Sequence, residues 1–146
     1  MNVSNIMTSN PQCCTANTSI RDAASMMLEC DCGEIPVVDS SKKPLGVITD
    51  RDICCRVVAG GMNVDECTVG ECMSSPALTI NMNASLDECC QLMEQAQIRR
   101  IPVVDESGCC CGIVSQADLA RKSTGMVEEV VERVSQPAGP SYASAR

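Results

Sequence analysis

The chain has 146 residues, 45% of them hydrophobic and 21% charged, enough for one compact domain or two small units. Its formal net charge of −8 argues against nucleic acid as a partner, because phosphate backbones need a basic face. With no His, Phe or Trp and only Tyr142, it lacks the commonest general base and metal ligand, and any aromatic platform for stacking bases.

Taken in chain order, Met1-Asn2-Val3-Ser4 opens neither a basic nor an apolar segment, so no signal peptide is expected. No apolar run approaches the ~20 residues of a membrane span. Ser19-Ile20-Arg21-Asp22 reads as a capping box, and Ile20, Ala23, Ala24 and Met27 form one helical face behind it. Residues 35–39 and 45–49 predict a hairpin around the turn at 40–44. A second helix starts at Asp50 and ends at Gly60-Gly61. After an extended lead-in at 77–80 the sequence of elements returns. Ser85-Leu86-Asp87-Glu88 caps a helix with Leu86, Cys89, Cys90 and Met93 on one face. A hairpin follows over 101–105 and 109–115, then a helix from Gln116. Residues 126–134 suggest a short helix, and the Pro-Ala-Gly-Pro-Ser stretch from 137 a flexible tail.

This return is an internal repeat with a shift of 66 residues. Ile35-Pro36-Val37-Val38-Asp39 lies over Ile101-Pro102-Val103-Val104-Asp105, and Met7, Ser19, Met27, Gly46 and Asp52 lie over Met73, Ser85, Met93, Gly112 and Asp118. No gap is needed from residue 3 to 53. One repeat is too small to bury both faces of its hairpin, whereas two can stack sheet against sheet and share a core.

At the strand-to-helix junctions the repeats read Gly46-Val47-Ile48-Thr49-Asp50-Arg51-Asp52 and Gly112-Ile113-Val114-Ser115-Gln116-Ala117-Asp118. The hydroxyl residue falls at a helix N-cap, where free amides and the positive dipole end favour an anion. The Asp three residues on lies on the same side and can accept two hydrogen bonds from a ribose diol. The alternative is that Thr49 and Ser115 are plain N-caps, with Asp52 and Asp118 complementing the dipole.

The repeat, the Pro-Val-Val-Asp strand and the Gly-x-x-Thr/Ser-x-x-Asp junction together resemble cystathionine-β-synthase-type (CBS) domains, which usually occur in pairs called Bateman modules. The resemblance covers about residues 3–122. It implies an α/β (α+β) fold of two β-α-β-β-α repeats, packed sheet to sheet with pseudo-twofold symmetry. The repeats would be residues 1–66 and 67–125, with 126–146 as short helix and tail. It further implies two clefts between the repeats that commonly bind AMP, ADP, ATP or another adenosine derivative, and dimerisation of the module. Thr49 and Ser115 would then contact phosphate or ribose, and Asp52 and Asp118 the ribose hydroxyls. Ile35, Pro36, Ile48, Ile101, Pro102 and Val114 complete the candidate ligand-binding set. Arg99 and Arg100 match positions where nucleotide-binding members place basic residues toward phosphates; the alternative is a solvated helix end. The first repeat has Gly33 and Glu34 there. The cleft reached by the arginines is therefore expected to take the more highly phosphorylated ligand.

Thirteen cysteines are an odd count, and without a signal peptide they point to free thiols in the reducing cytoplasm. None forms a Cys-x-x-Cys pair. Cys89 and Cys90 replace Ala23 and Ala24, and Cys111 replaces Leu45, as small apolar fillers. Soft-metal binding or oxidation would be sought at Cys30 and Cys32, or at Cys109 and Cys110; otherwise no metal is expected. The sequence thus points to a non-enzymatic regulatory module that needs no cofactor and signals to an effector protein. The competing readings are a dimerisation module with empty clefts and a thiol-based metal or redox sensor.

Overall fold

The computed structural model describes residues 1–122, so the short helix and tail expected beyond them lie outside the described residues. The described chain divides into two compact units.

One unit is Asn10–Leu78 with Gly108–Cys110. Its first helix, α1 (Ile20–Cys30), starts where the Ser19 hydroxyl accepts from the Asp22 amide at 3.1 Å. That is the Ser half of the expected box. Ile20, Ala23 and Met27 turn inward, and Asp31 closes the helix with a left-handed φ of 50°. Strands β2 (Glu34–Val38) and β3 (Pro44–Thr49) pair antiparallel, Ile35 against Ile48. The Asp39 carboxylate organises their turn by accepting from the Ser41 and Lys43 amides at 2.8 and 3.0 Å. Helix α2 (Asp50–Asp52) runs on as a π-wound stretch, Ile53–Val58, and stops at Gly61, whose φ is 70°. A short helix, α3 (Val69–Cys72), ends the element order of this unit. Ile20, Ile35, Val37, Ile48, Val57 and Val69 form the core.

The other unit combines Met1–Ser9, Thr79–Ser107 and the chain from Cys111. Its sheet has the order β1 (Thr8–Ser9), β6 (Cys110–Ser115), β5 (Arg100–Val104), β4 (Ile80–Asn81). Helix α4 (Leu86–Ala96) buries Leu86, Cys89 and Met93, and α5 (Gln116–Lys122) follows β6. Val3, Met93, Ile101, Val103, Val114 and Leu119 fill this second core.

The units do not coincide with residues 1–66 and 67–125, because the lead-ins are exchanged. Thr8 and Ser9 pair with Ile113 and Gly112. Their counterpart Ser74 exchanges two hydrogen bonds of 2.9 Å with Val47, a strand residue of the first repeat. The upstream turns follow the same rule: Val3 N donates to Ala84 O at 2.9 Å, and Val69 N to Thr18 O at 2.8 Å. A repeat too small to bury its own hairpin is thus completed by the lead-in of the other. Each unit so completed encloses its own core, in place of the single shared core expected from the sequence.

Candidate functional site

Both junction motifs form capping boxes. In the first, Thr49 Oγ1 accepts from the Asp52 amide at 3.0 Å, and Asp52 Oδ2 accepts from the Thr49 amide at 3.1 Å. The Ser74 hydroxyl donates to both carboxylate oxygens at 3.1 Å, and Arg56 Nε stands 3.8 Å from Oδ1. In the second, Ser115 Oγ accepts from the Asp118 amide at 3.1 Å. Asp118 Oδ2 accepts from the Ser115 amide at 2.8 Å and from its hydroxyl at 3.0 Å, while Arg121 pairs with Oδ1. Asp52 and Asp118 are only 4% and 5% exposed. The capping alternative raised by the sequence is therefore realised at both places, with the two carboxylates held inward against their own helix starts.

The motif glycines have a steric cause. A Cβ on Gly46 would collide with the Ser74 carbonyl oxygen, and one on Gly112 with the Met7 sulfur. Close approach of the exchanged lead-in backbone calls for glycine at Gly46, whereas at Gly112 it is a flexible side chain that crowds in.

A second bond recurs in each repeat: Asp50 N donates to Gly33 O at 2.9 Å, and Gln116 N to Arg99 O at 2.8 Å. It fastens the residue entering the hairpin to the start of the helix leaving it. In the second repeat this sets Arg99 beside Ser115. Arg99, Arg100, Ser115, Gln116, Ala117 and Ala120 line an open cavity of about 350 Å³, within the ~300–1,000 Å³ usual for small-ligand sites. Its lining carries two cations and no carboxylate. The corresponding positions of the first repeat are Gly33, Glu34, Thr49, Asp50, Arg51 and Cys54, and Glu34 is buried.

Three of the candidate residues thus meet at one cavity: Arg99, Arg100 and Ser115. Asp118 lies behind Ser115, and Thr49 and Asp52 form the equivalent junction of the other unit. Ile35, Ile48, Ile101 and Val114 are core residues at 1% exposure or less, and Pro36 and Pro102 are also buried. Gln116, Ala117, Ala120 and Ser74 were missed from sequence. Ala117 and Ala120 sit three apart on the helix that starts after Ser115, a spacing that could have identified them. Ser74 carried a weaker signal, the matching hydroxyl of Thr8.

Cys30 is exposed, and Cys32, Cys109 and Cys110 are half-buried. Among the described residues no group of three or more Cys, Asp or Glu side chains is placed to hold a metal ion. A hydrogen bond from Cys110 lowers the Cys13 thiol below its usual pKa. Burial pushes Cys89 up to about 12, as suits the apolar filler expected at that position.

A family model described as CBS domain matches residues 3–58 and again 69–125. The chain belongs to the CBS domain family. It is a tandem CBS pair with a mixed α/β fold. It is 41% identical over 118 residues to the CBS domain-containing protein YhcV of Bacillus subtilis (strain 168), covering 81% of this chain and 82% of that one. To Hypoxic response protein 1 of Mycobacterium tuberculosis it is 34% identical, covering 80% of each chain. It spans 58% of the length of a further relative, an uncharacterised protein of Methanopyrus kandleri. The crystal structure of Hypoxic Response Protein I, with two coordinated zinc ions, superposes with a TM-score of 0.78 over 84% of this CBS pair and 98% of that chain, at 33% identity. The CBS domain pair of protein MJ0100, in complex with 5′-methylthioadenosine and S-adenosyl-L-methionine, gives 0.76 over 86% and 97%, at 28% identity.

Proposed function

We propose that this CBS pair is a regulatory module that binds an adenosine-containing ligand and passes its occupancy to a partner protein, without catalysis of its own. The observation that carries the reading is the cavity where Arg99 and Arg100 stand over Ser115 at the start of α5. Two guanidinium groups and no acid suit a phosphate chain. The adenosine part is supported by the similar pair of MJ0100, crystallised with two adenosine derivatives. AMP, ADP and ATP join both features.

The inward carboxylates refine the ribose role. Asp118 Oδ2 belongs to the Ser115 box, whereas Oδ1 is held by Arg121, a side chain 64% exposed. A ribose hydroxyl can replace that arginine at little cost. At Asp52 both oxygens are held by the Ser74 hydroxyl. The second junction is accordingly the stronger site, and the ligand with more phosphates should prefer it. We further propose a cytoplasmic homodimer; Leu28 and Val58, 84% and 64% exposed, are apolar surface that a second copy would cover. Among the described residues no helix is long and apolar enough to cross a membrane.

Calorimetry with AMP, ADP and ATP, alongside thermal shift, tests the reading. ATP should raise the melting temperature, with one site per chain dominating. No shift from any of the three at millimolar concentration would leave a scaffold with empty sites.

A further inference from the structure

Cys67 and Cys72 flank the α3 turn, and their sulfurs are 2.9 Å apart. Carbon atoms in ordinary contact stand roughly 3.5–4.0 Å apart, and sulfur is larger. Two thiolates on one tetrahedral zinc, with Zn–S of about 2.3 Å, would also stand farther apart, at roughly 3.8 Å. The separation is nearer the ~2.05 Å of a covalent bond than any metal-bridged pair would be. The backbone holds both residues in place: Cys67 N donates to Asn63 O at 2.9 Å, and Arg56 donates to the Cys72 carbonyl at 3.2 Å. The turn between them is closed by the Thr68–Glu71 capping box.

We propose that Cys67 and Cys72 are a redox-active dithiol that hydrogen peroxide closes into an intramolecular disulfide, stapling α3 to the loop before it. At 4% and 2% exposure the pair calls for a small neutral oxidant rather than a bulky one. Burial together with hydrogen bonds to Cys72 and Glu71 pushes the Cys67 thiol up to about 12, which suits Cys67 to the later, resolving step. The Cys72 sulfur, giving up its proton, attacks one peroxide oxygen and the O–O bond breaks. This gives a sulfenic acid and a hydroxide, which takes up the proton Cys72 released. The Cys67 sulfur then attacks Cys72 Sγ, and the S–O bond breaks as the hydroxyl leaves with the Cys67 proton as water. Two electrons pass from the pair to the peroxide, which ends as two waters. Two residues beyond Cys72 lies Ser74, which holds Asp52 and bridges Val47, so the staple fixes the base of the segment that supports the first junction.

The full chain, reduced without oxygen, is treated with a few equivalents of hydrogen peroxide, quenched with catalase, alkylated in denaturant and cut after glutamate. Cleavage after Glu66 and Glu71 places the two cysteines on separate peptides, 67–71 and 72–88. The expected product is these two peptides joined, two hydrogens lighter than their sum, in most chains. Alkylated or singly oxidised Cys67 and Cys72, in a sample whose exposed Cys54 and Cys55 are oxidised, overturns the proposal. In a folded Cys67→Ser chain, oxidised in the same way and then opened in denaturant containing dimedone, Cys72 should be labelled; an unlabelled Cys72 overturns it as well.

Discussion

Gly46→Ala separates a steric role for the junction glycine from a ligand-binding one. Neither Gly46 nor Gly112 has a positive φ, so alanine is free of backbone strain and gains about 0.4–1 kcal/mol through the unfolded chain. Against this, the new methyl meets the Ser74 carbonyl oxygen, with Met73 Sδ at 3.2 Å, and the lead-in must move. Moving it weakens the two Val47–Ser74 backbone bonds, worth ~0.5–1.5 kcal/mol each, and pulls the Ser74 hydroxyl from the buried Asp52 carboxylate, ~1.5–3 kcal/mol more. The net cost is about 2–5 kcal/mol. Gly112→Ala meets the flexible end of Met7, with the Thr8 carbonyl oxygen at 3.1 Å, and should cost only about 1–2 kcal/mol. Urea unfolding of the two variants, with unchanged slopes, measures both. If Gly112→Ala proves as costly as Gly46→Ala, or Gly46→Ala costs less than about 1 kcal/mol, the exchanged lead-in is not what requires glycine.

Replacing Arg99 and Arg100 together with Ala should weaken ATP binding about tenfold or more, and adenosine binding far less, since exposed charges each contribute roughly 1 kcal/mol at low salt. Calorimetry at two salt concentrations checks this; equal losses for ATP and adenosine would remove the arginines from the phosphate site. Ser74→Ala should destabilise the fold by about 1.5–3 kcal/mol in urea, because it strips a hydroxyl from a buried carboxylate. Cys89 is raised to about 12 by burial, so its unfolded thiol ionises first. Its stabilising effect is complete below pH 9 and is lost as pH rises through 12, at no more than about 1.4 kcal/mol per pH unit. Cys89→Ala, matching Ala23 of the first repeat, should flatten the alkaline side of the stability profile; an unchanged slope contradicts that.

Much of this fold is periodic and local, and those parts were legible. Ile20, Ala23 and Met27, and likewise Leu86, Cys89 and Met93, announce buried helix faces by spacing alone. The hairpins follow from β-branched runs broken by turn residues, and the repeat fixes both at once. The exchange of lead-ins was not legible, because it is a non-local choice. Thr8 pairs with Ile113 rather than with its own repeat's Val47, and no local propensity distinguishes those partners. The junction chemistry was half legible. Hydroxyl, spacing and Asp predicted a cap or a clamp, but how each carboxylate is held also depends on Ser74, which reaches Asp52 from 22 residues along the chain, and on Arg121, one helical turn beyond Asp118.

That same dependence explains how two nearly identical motifs come to differ. Each junction keeps the strand-to-helix geometry through one backbone bond, from Asp50 to Gly33 or from Gln116 to Arg99, and such a bond tolerates any side chain except proline at its donor end. The scaffold is thereby insulated from what its rim displays. The second repeat displays Arg99 and Arg100 over Ala117 and Ala120, whose small side chains leave room for the cavity. The first displays Asp50, Arg51 and Cys54 at the matching helix places and buries Glu34 where the second exposes Arg100, with more negative charge. An anion that the second junction attracts would meet an acid at the first, so divergence on a fixed frame can make one site of two.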